Sequence, residues 1–192
     1  MSLNMRNLHE LPKDLPRPID DGTAGNLVGK TAPDLRLISH AGDSIRLSEA
    51  FQGKTVLFIF PRAGNSIRPN PAVEEWDLIP GARGCTPQSC GFKNLAQDFT
   101  TLGFQIFGLS TQTPDILSEV ALKNHLPFDL LSDSDLELTK SLQLPTFLFH
   151  GETLLKRMVL LFQGNQIFKV FYPVFPPDQN ADEVLVWIKS QR

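Results

Sequence analysis

The two cysteines, Cys85 and Cys90, are the residues whose type and spacing suggest chemistry. They belong to the segment Gly-Cys-Thr-Pro-Gln-Ser-Cys, which begins at Gly84 and leads into an apolar pattern typical of a helix. Cys85 is therefore predicted at or just inside a helix N-terminus. Unpaired backbone N–H groups and the positive end of the helix dipole stabilise an anion there, and the thiolate is the nucleophilic form of cysteine. The segment predicts a reactive thiol at Cys85.

The spacing of the two cysteines limits what they can do together. Five residues along a helix separate two Cα atoms by roughly 8.6 Å. A disulfide needs Cα atoms closer than about 7 Å. Cys85 and Cys90 therefore either never bond, or bond only when the first helical turn unwinds.

The remaining pattern predicts a mixed sheet with helices on both of its faces. Apolar and β-branched runs predict strands, and apolar residues at three- and four-residue steps predict helices. A glycine-containing turn near Gly42 predicts an N-terminal hairpin, and Gly164-Asn165 predicts a second hairpin turn near the end. The predicted strands are Leu35–Ser39, Ser44–Leu47, Thr55–Phe60, Phe104–Leu109, Phe128–Leu131, Thr146–Leu148, Met158–Phe162 and Ile167–Phe171. The predicted helices are Leu47–Phe51, Thr86–Thr101, Ile116–His125, Leu136–Leu142 and Asp182–Ser190.

One domain with an appended arm is the organisation expected for 192 residues. Residues 1–30 are rich in Pro, Asp and Gly and predict an irregular N-terminal arm. Residues 31–192 are expected to form an α/β domain, with a long loop over residues 62–84 before the first cysteine. Trp76 in this loop is interpreted as an anchor to the core rather than as a substrate platform.

Charge and composition exclude several classes of function. The net charge is −3, and no Lys/Arg cluster suggests nucleic acid or an anionic membrane as partner. The apolar runs are too short to span a bilayer. The four histidines have no metal-ligand spacing and are interpreted as solvated or structural, and no metal or other cofactor is expected. The segment Met1–Asn7 lacks a secretory apolar region, so the expected location is cytoplasmic, where cysteines are either inert or redox-active.

The cysteine segment and its surroundings resemble the peroxiredoxins of the bacterioferritin-comigratory (Q-type) group. The similarity includes Phe60-Pro61, the Gly-Cys-Thr-x-Gln-x-Cys segment from Gly84, and Ala32-Pro33-Asp34-Leu35, and it extends over residues 29–170. The resemblance implies a thioredoxin-like fold with Cys85 as the thiol that attacks peroxide. It also implies that Cys90 resolves the oxidised Cys85 through a disulfide bond, in an antioxidant peroxidase cycle.

The resemblance also implies further site residues. Arg157, just before a late strand, matches the arginine that stabilises the thiolate and orients the peroxide, with Lys156 as the neighbouring alternative. Backbone groups at Gly84 and Thr86 are expected to bind the peroxide. The family has Thr or Ser where this chain has Ala82, and a short connection where it has residues 62–84. Ser66 and Thr86 are candidate replacements for the missing hydroxyl.

The function that follows is a thiol-dependent peroxidase. Its expected partners are a hydroperoxide substrate and thioredoxin or glutaredoxin as reductant, and it is expected to be a monomer or a homodimer. Two alternatives remain open from the sequence. The first is a thiol–disulfide oxidoreductase of the same fold, and the second is a non-enzymatic redox sensor in which oxidation of Cys85 reshapes the helix start.

Overall fold

A computed structural model describes residues 9–64 and 73–191 of the chain. Its strands are β1 (Arg36–Ser39), β2 (Ser44–Arg46), β3 (Lys54–Ile59), β4 (Phe104–Ser110), β5 (Asp129–Ser132), β6 (Thr146–Phe149), β7 (Glu152–Leu155), β8 (Met158–Gln163) and β9 (Gln166–Phe171). Its helices are α1 (Leu47–Ala50), α2 (Val73–Asp77), α3 (Cys85–Asn94), α4 (Ala96–Thr101), α5 (Pro114–Asn124), α6 (Glu137–Leu142) and α7 (Asn180–Ser190). No helix in this described part is long and apolar enough to cross a membrane.

The central sheet has seven strands in the order β2-β1-β5-β4-β3-β8-β9. β3, β4 and β5 are parallel, whereas the other neighbouring pairs are antiparallel. β3 lies near the middle and is buried on both faces, as its continuous apolar sequence predicts. The mixed sheet, the N-terminal hairpin and the turn at Gly164-Asn165 are confirmed. Gly164 and Asn165 both have positive φ angles (57° and 67°), as a two-residue hairpin turn of this type requires.

Two hydrophobic clusters cover the two faces of the sheet. Because side chains alternate along a strand, Val56 and Phe58 of β3 face one cluster, and Leu57 and Ile59 face the other. Helices α3, α4, α5 and α7 pack on the first face, and α1 and α6 pack on the second. Helices on both faces are therefore confirmed. Phe92 attaches α3 to the sheet by stacking on Phe58, with the ring centroids 4.7 Å apart.

The structure differs from the sequence prediction in three elements. The helix predicted over Thr86–Thr101 is divided into α3 and α4 at Leu95, whose φ and ψ of −102° and 8° are not helical. The predicted loop 62–84 contains α2, with Trp76 packed edge-on against Phe149 at 5.1 Å, as expected of an anchor. β7 was not predicted, and it pairs with β6 in a separate two-stranded sheet.

The N-terminal arm is bonded to the body of the protein. Leu27 is fully buried, and the backbone N–H of Gly29 donates to the carbonyl of Ile167 in β9 at 2.8 Å. The N–H of Ile167 donates in turn to the carbonyl of Lys30 at 2.9 Å. The arm thus continues hydrogen bonding along the outer edge of β9, and its described residues, 9–30, form no helix or strand.

Candidate active site

Cys85 is the first residue of α3, and the backbone just before it, at Gly84, packs closely against neighbouring side chains. Gly84 immediately precedes the helix with φ of 108°, a conformation that side chains of L-residues disfavour. A Cβ atom at Gly84 would lie 2.2 Å from Cγ of Pro177 and 3.1 Å from Cδ2 of Leu11. A glycine is required here because the backbone turns and approaches its neighbours too closely for a side chain.

Cys85 is buried, and its sulfur contacts a guanidinium group. Only 4% of the residue is exposed, and Nη2 of Arg157 lies 3.1 Å from Sγ. The carbonyl oxygen of Ala82 lies 3.7 Å from the same sulfur. A guanidinium N–H donating to sulfur at this distance stabilises the thiolate, the form that attacks an electrophile.

Arg157 is itself buried and held by neutral groups. Its Nε donates to the carbonyl of Gly81 at 3.2 Å, its Nη2 donates to that of Ala82 at 2.9 Å, and its Nη1 donates to the side-chain oxygen of Gln88. None of the described carboxylates forms a salt bridge with Arg157. A buried cation is costly without an anion beside it, and the sulfur of Cys85 is the group in contact that can supply the negative charge.

Lys156, the sequence alternative to Arg157, has a different partner. Its ammonium group forms an ion pair with Asp21 of the arm, which raises the pKa of Lys156. Successive residues point in opposite directions in an extended chain. The structure therefore brings Arg157, and not Lys156, to Cys85.

Gln88 and Asn180 were missed as site residues in the sequence analysis. Gln88 is fully buried, accepts from Arg157, and donates from its Nε2 to Oδ1 of Asn180 at 2.9 Å. Gln88 is three residues after Cys85, so helical spacing alone could have indicated that both face Arg157. Asn180 lies 92 residues further along, at the start of α7, and no local signal connects it to the site.

Cys90 is on the same helix but in a different environment. It is partly exposed, and its sulfur lies 3.9 Å from Nδ1 of His9 and 3.9 Å from Oδ1 of Asn124. Burial raises the pKa of the Cys90 thiol, and the charge of nearby Lys93 partly opposes this. Both cysteines are free, and α3 is helical from Cys85 to Asn94. A bond between them requires the start of the helix to unwind.

The residues considered as replacements for the family hydroxyl have different positions. Ala82 is 1% exposed and packs with Trp76 and Phe149, so an apolar cluster occupies the surroundings of its side chain. Thr86 is buried in the first turn of α3, next to Cys85. Ser66 lies outside the described residues.

A largely apolar cavity of about 230 Å³ is lined in part by Arg157 and Lys156. Its walls come from the arm, from the loop before Cys85, from β6, and from the segments just before β8 and just after β9. They include Ile19, Ile79, Phe147 and Tyr172. Within residues 9–64 and 73–191, no group of three or more His, Cys, Asp and Glu side chains could hold a metal ion.

The fold, with a buried free cysteine at a helix start, defines a thioredoxin-like α/β protein. The structure is similar to the crystal structure of the peroxidoxin BcpB from Mycobacterium tuberculosis. The TM-score is 0.68 at 24% identity, over 86% of this chain and 97% of that chain. The thioredoxin-like α/β prediction is thereby confirmed.

The family follows from two further comparisons. Residues 27–185 match the Redoxin family. The chloroplastic peroxiredoxin Q of Sedum lineare is 30% identical over 163 residues, which is 84% of this chain and 77% of that protein. The peroxiredoxin Bcp of Escherichia coli is 28% identical over 166 residues, 84% of this chain and 95% of its own length. The chain therefore belongs to the Redoxin family, among the peroxiredoxins of the Q or bacterioferritin-comigratory group.

Proposed function

We propose that this protein is a thiol-dependent peroxidase that reduces hydrogen peroxide or organic hydroperoxides at Cys85. The observation that carries the proposal is the contact between Nη2 of Arg157 and Sγ of Cys85, 3.1 Å apart in a buried site at a helix start. This contact supplies a cation for the thiolate and hydrogen-bond donors for the oxygen on which negative charge develops.

In the first step, the thiolate of Cys85 attacks one oxygen of the hydroperoxide. The O–O bond breaks, the second oxygen leaves as alkoxide or hydroxide, and a proton from solvent converts it to alcohol or water. Cys85 becomes a sulfenic acid. The N–H groups at the start of α3, including those of Gly84 and Thr86, are the proposed donors to the peroxide oxygens.

In the second step, Cys90 attacks the sulfur of the sulfenic acid and water is released. The two cysteines are too far apart in an intact helix, so α3 must unwind at its start. Unwinding carries Gln88 away from Arg157 and Asn180, since Gln88 lies between the two cysteines. An external dithiol, thioredoxin or glutaredoxin, then reduces the disulfide by thiol–disulfide exchange.

The cavity beside Arg157 supports organic hydroperoxides as substrates. Its apolar walls fit the hydrocarbon part of an organic hydroperoxide better than they fit hydrogen peroxide, which has none. The proposed cycle needs a compartment that supplies a dithiol reductant, and the cytoplasm is the proposed location. The proposed assembly is a monomer or a homodimer.

The test combines turnover with intact mass. With thioredoxin and its reductase, the wild type is expected to consume peroxide continuously, and Cys85→Ser is expected to consume none. One equivalent of peroxide should remove two hydrogens from the wild type and add one oxygen to Cys90→Ser. Stoichiometric oxidation without turnover would instead support the sensor alternative. Reduction of unrelated disulfides without peroxide consumption would support the oxidoreductase alternative.

A further inference from the structure

The N-terminal arm runs beside α3 in the opposite direction to the helix. His9 contacts Cys90, the carbonyl of Glu10 accepts from Nη2 of Arg83 at 3.5 Å, and Leu11 packs beside Gly84. Three consecutive arm residues therefore follow the helix from its second turn back to its start. This places an imidazole beside the sulfur proposed to resolve the sulfenic acid.

Resolution poses a proton problem at Cys90. The attacking form of a cysteine is the thiolate, and burial raises the pKa of this thiol. Among the described residues, the polar groups near Sγ are His9, Asn124 and Lys93, whose Nζ donates to the carbonyl of Asn124 at 3.0 Å. The amide of Asn124 can accept a hydrogen bond but does not take up a proton at neutral pH. The ammonium group of Lys93 is already protonated and therefore cannot act as a base. An imidazole is the side chain suited to this transfer.

We propose that His9 is a further catalytic residue, the general base that deprotonates Cys90 as it attacks the oxidised Cys85. The inference rests on the proposed function, since it concerns the second step of that cycle. Nδ1 of His9 takes the proton from the Cys90 thiol, and the sulfur of Cys90 forms a bond to the sulfur of Cys85. The S–O bond breaks, and the hydroxide that leaves takes a proton from the imidazolium to form water. Cys90 is oxidised, the sulfenic sulfur is reduced, and His9 returns to its starting state.

His9 lies in the N-terminal arm, outside residues 27–185, the part of the chain that matches the Redoxin family. The side chain is exposed, so a base supplied from solvent can reach the same sulfur. From the sequence, His9 was interpreted as solvated or structural because the histidines lack metal-ligand spacing, and its contact with Cys90 spans 81 residues of the chain.

The test follows both chemical steps by rapid quenching and intact mass in full-length protein. His9→Ala is expected to form the sulfenic acid at the wild-type rate and the disulfide at least about 10-fold more slowly. At high peroxide it should accumulate sulfinic acid, because slow resolution leaves the sulfenic acid open to further oxidation. Added imidazole should restore the rate of disulfide formation in His9→Ala and leave the wild type unchanged. His125→Asn, at an exposed helix end with positive φ, is the matched control and should behave as the wild type.

Two results would overturn the proposal. One is an unchanged rate of disulfide formation in His9→Ala. The other is a reduced rate that imidazole does not restore, which would assign the arm a purely structural role. An unchanged rate of the first step in His9→Ala shows that the site is folded. If the wild type forms neither sulfenic acid nor disulfide, the proposed function itself fails, and that outcome differs from any defect confined to the variant.

Discussion

Cys85 and Cys90 are on one helix, five residues apart, in contrasting surroundings. Cys85 is 4% exposed and lies under a guanidinium that is fixed by backbone carbonyls and Gln88. Cys90 is partly exposed, and it has an imidazole and an amide oxygen at 3.9 Å instead of a guanidinium. The guanidinium N–H beside the Cys85 sulfur favours negative charge on it, whereas burial raises the pKa of the Cys90 thiol. These two environments thus fit the two different steps of the proposed cycle.

The largest effect is expected from removing the cation of the Cys85 site. Arg157→Met should lower the second-order rate constant for peroxide by about 10²–10³-fold, because it removes the donor to the sulfur and to the reacting oxygens. Stopped-flow kinetics on a Cys90→Ser background isolates this step. Lys189→Met is the control, since Lys189 is an exposed residue of α7 that pairs with Asp98. Equal rate losses in the two variants would contradict the role of Arg157.

A smaller effect is expected from loosening Arg157 without removing it. Gln88→Met deletes the acceptor for Nη1 and the donor to Asn180, so the guanidinium loses one of its fixed partners. The rate constant for peroxide should fall by about 10-fold, because displacement of a catalytic group by a fraction of an ångström is costly. Gln97→Met, on the exposed face of α4, should react as the wild type does. A wild-type rate in Gln88→Met would show that the carbonyls alone position Arg157.

The close packing at the helix start predicts a loss of stability. Gly84→Ala introduces a Cβ into contact with Pro177 and a residue with positive φ, which together should cost about 2–5 kcal/mol. Gly103→Ala is the control, because its φ is 81° but nothing lies within 4 Å of the added Cβ. It should cost only about 1–2 kcal/mol. Urea unfolding measures both free energies. Equal decreases in the free energy of unfolding would mean that Pro177 moves aside for the added Cβ without an energetic penalty.

The smallest expected effect concerns the acidity of Cys90. In Cys85→Ser, alkylation of Cys90 by iodoacetamide should increase with pH, with a midpoint above the ordinary pKa of a cysteine thiol. The direction follows from burial, which disfavours the charged thiolate and raises the pKa. Mass spectrometry of the alkylated fraction gives the midpoint, and the unfolded variant in urea supplies the ordinary value. A midpoint at or below the unfolded value would remove the contrast between the two cysteines.

The sequence predicted those parts of the molecule that local patterns encode. The glycine before Cys85 and the apolar face after it were enough to predict a thiol at a helix start. The continuous apolar run of β3 was enough to predict a central strand. β6 was predicted, but β7 and its pairing with β6 were missed because the turn between them is formed by His150 and Gly151 with φ of 48° and 80°, and histidine is not a usual turn residue.

Contacts between distant residues account for the rest. Asn180 reaches Gln88 across 92 residues, and His9 reaches Cys90 across 81. The arm joins β9 through backbone groups, which leave no trace in the side-chain pattern. The division between α3 and α4 falls at Leu95, which is neither Gly nor Pro, so the residue type there does not predict the end of a helix. Such features depend on tertiary packing, which local sequence patterns do not encode.

The most direct test of the account is the rate at which Cys85 of the Cys90→Ser variant reacts with peroxide at neutral pH. Rapid quenching and intact mass follow the gain of one oxygen atom, with free cysteine measured under the same conditions. The account predicts a rate constant at least about 10³-fold above that of free cysteine, since the guanidinium and the helix start favour both the thiolate and the developing charge. A rate constant equal to that of free cysteine would contradict it.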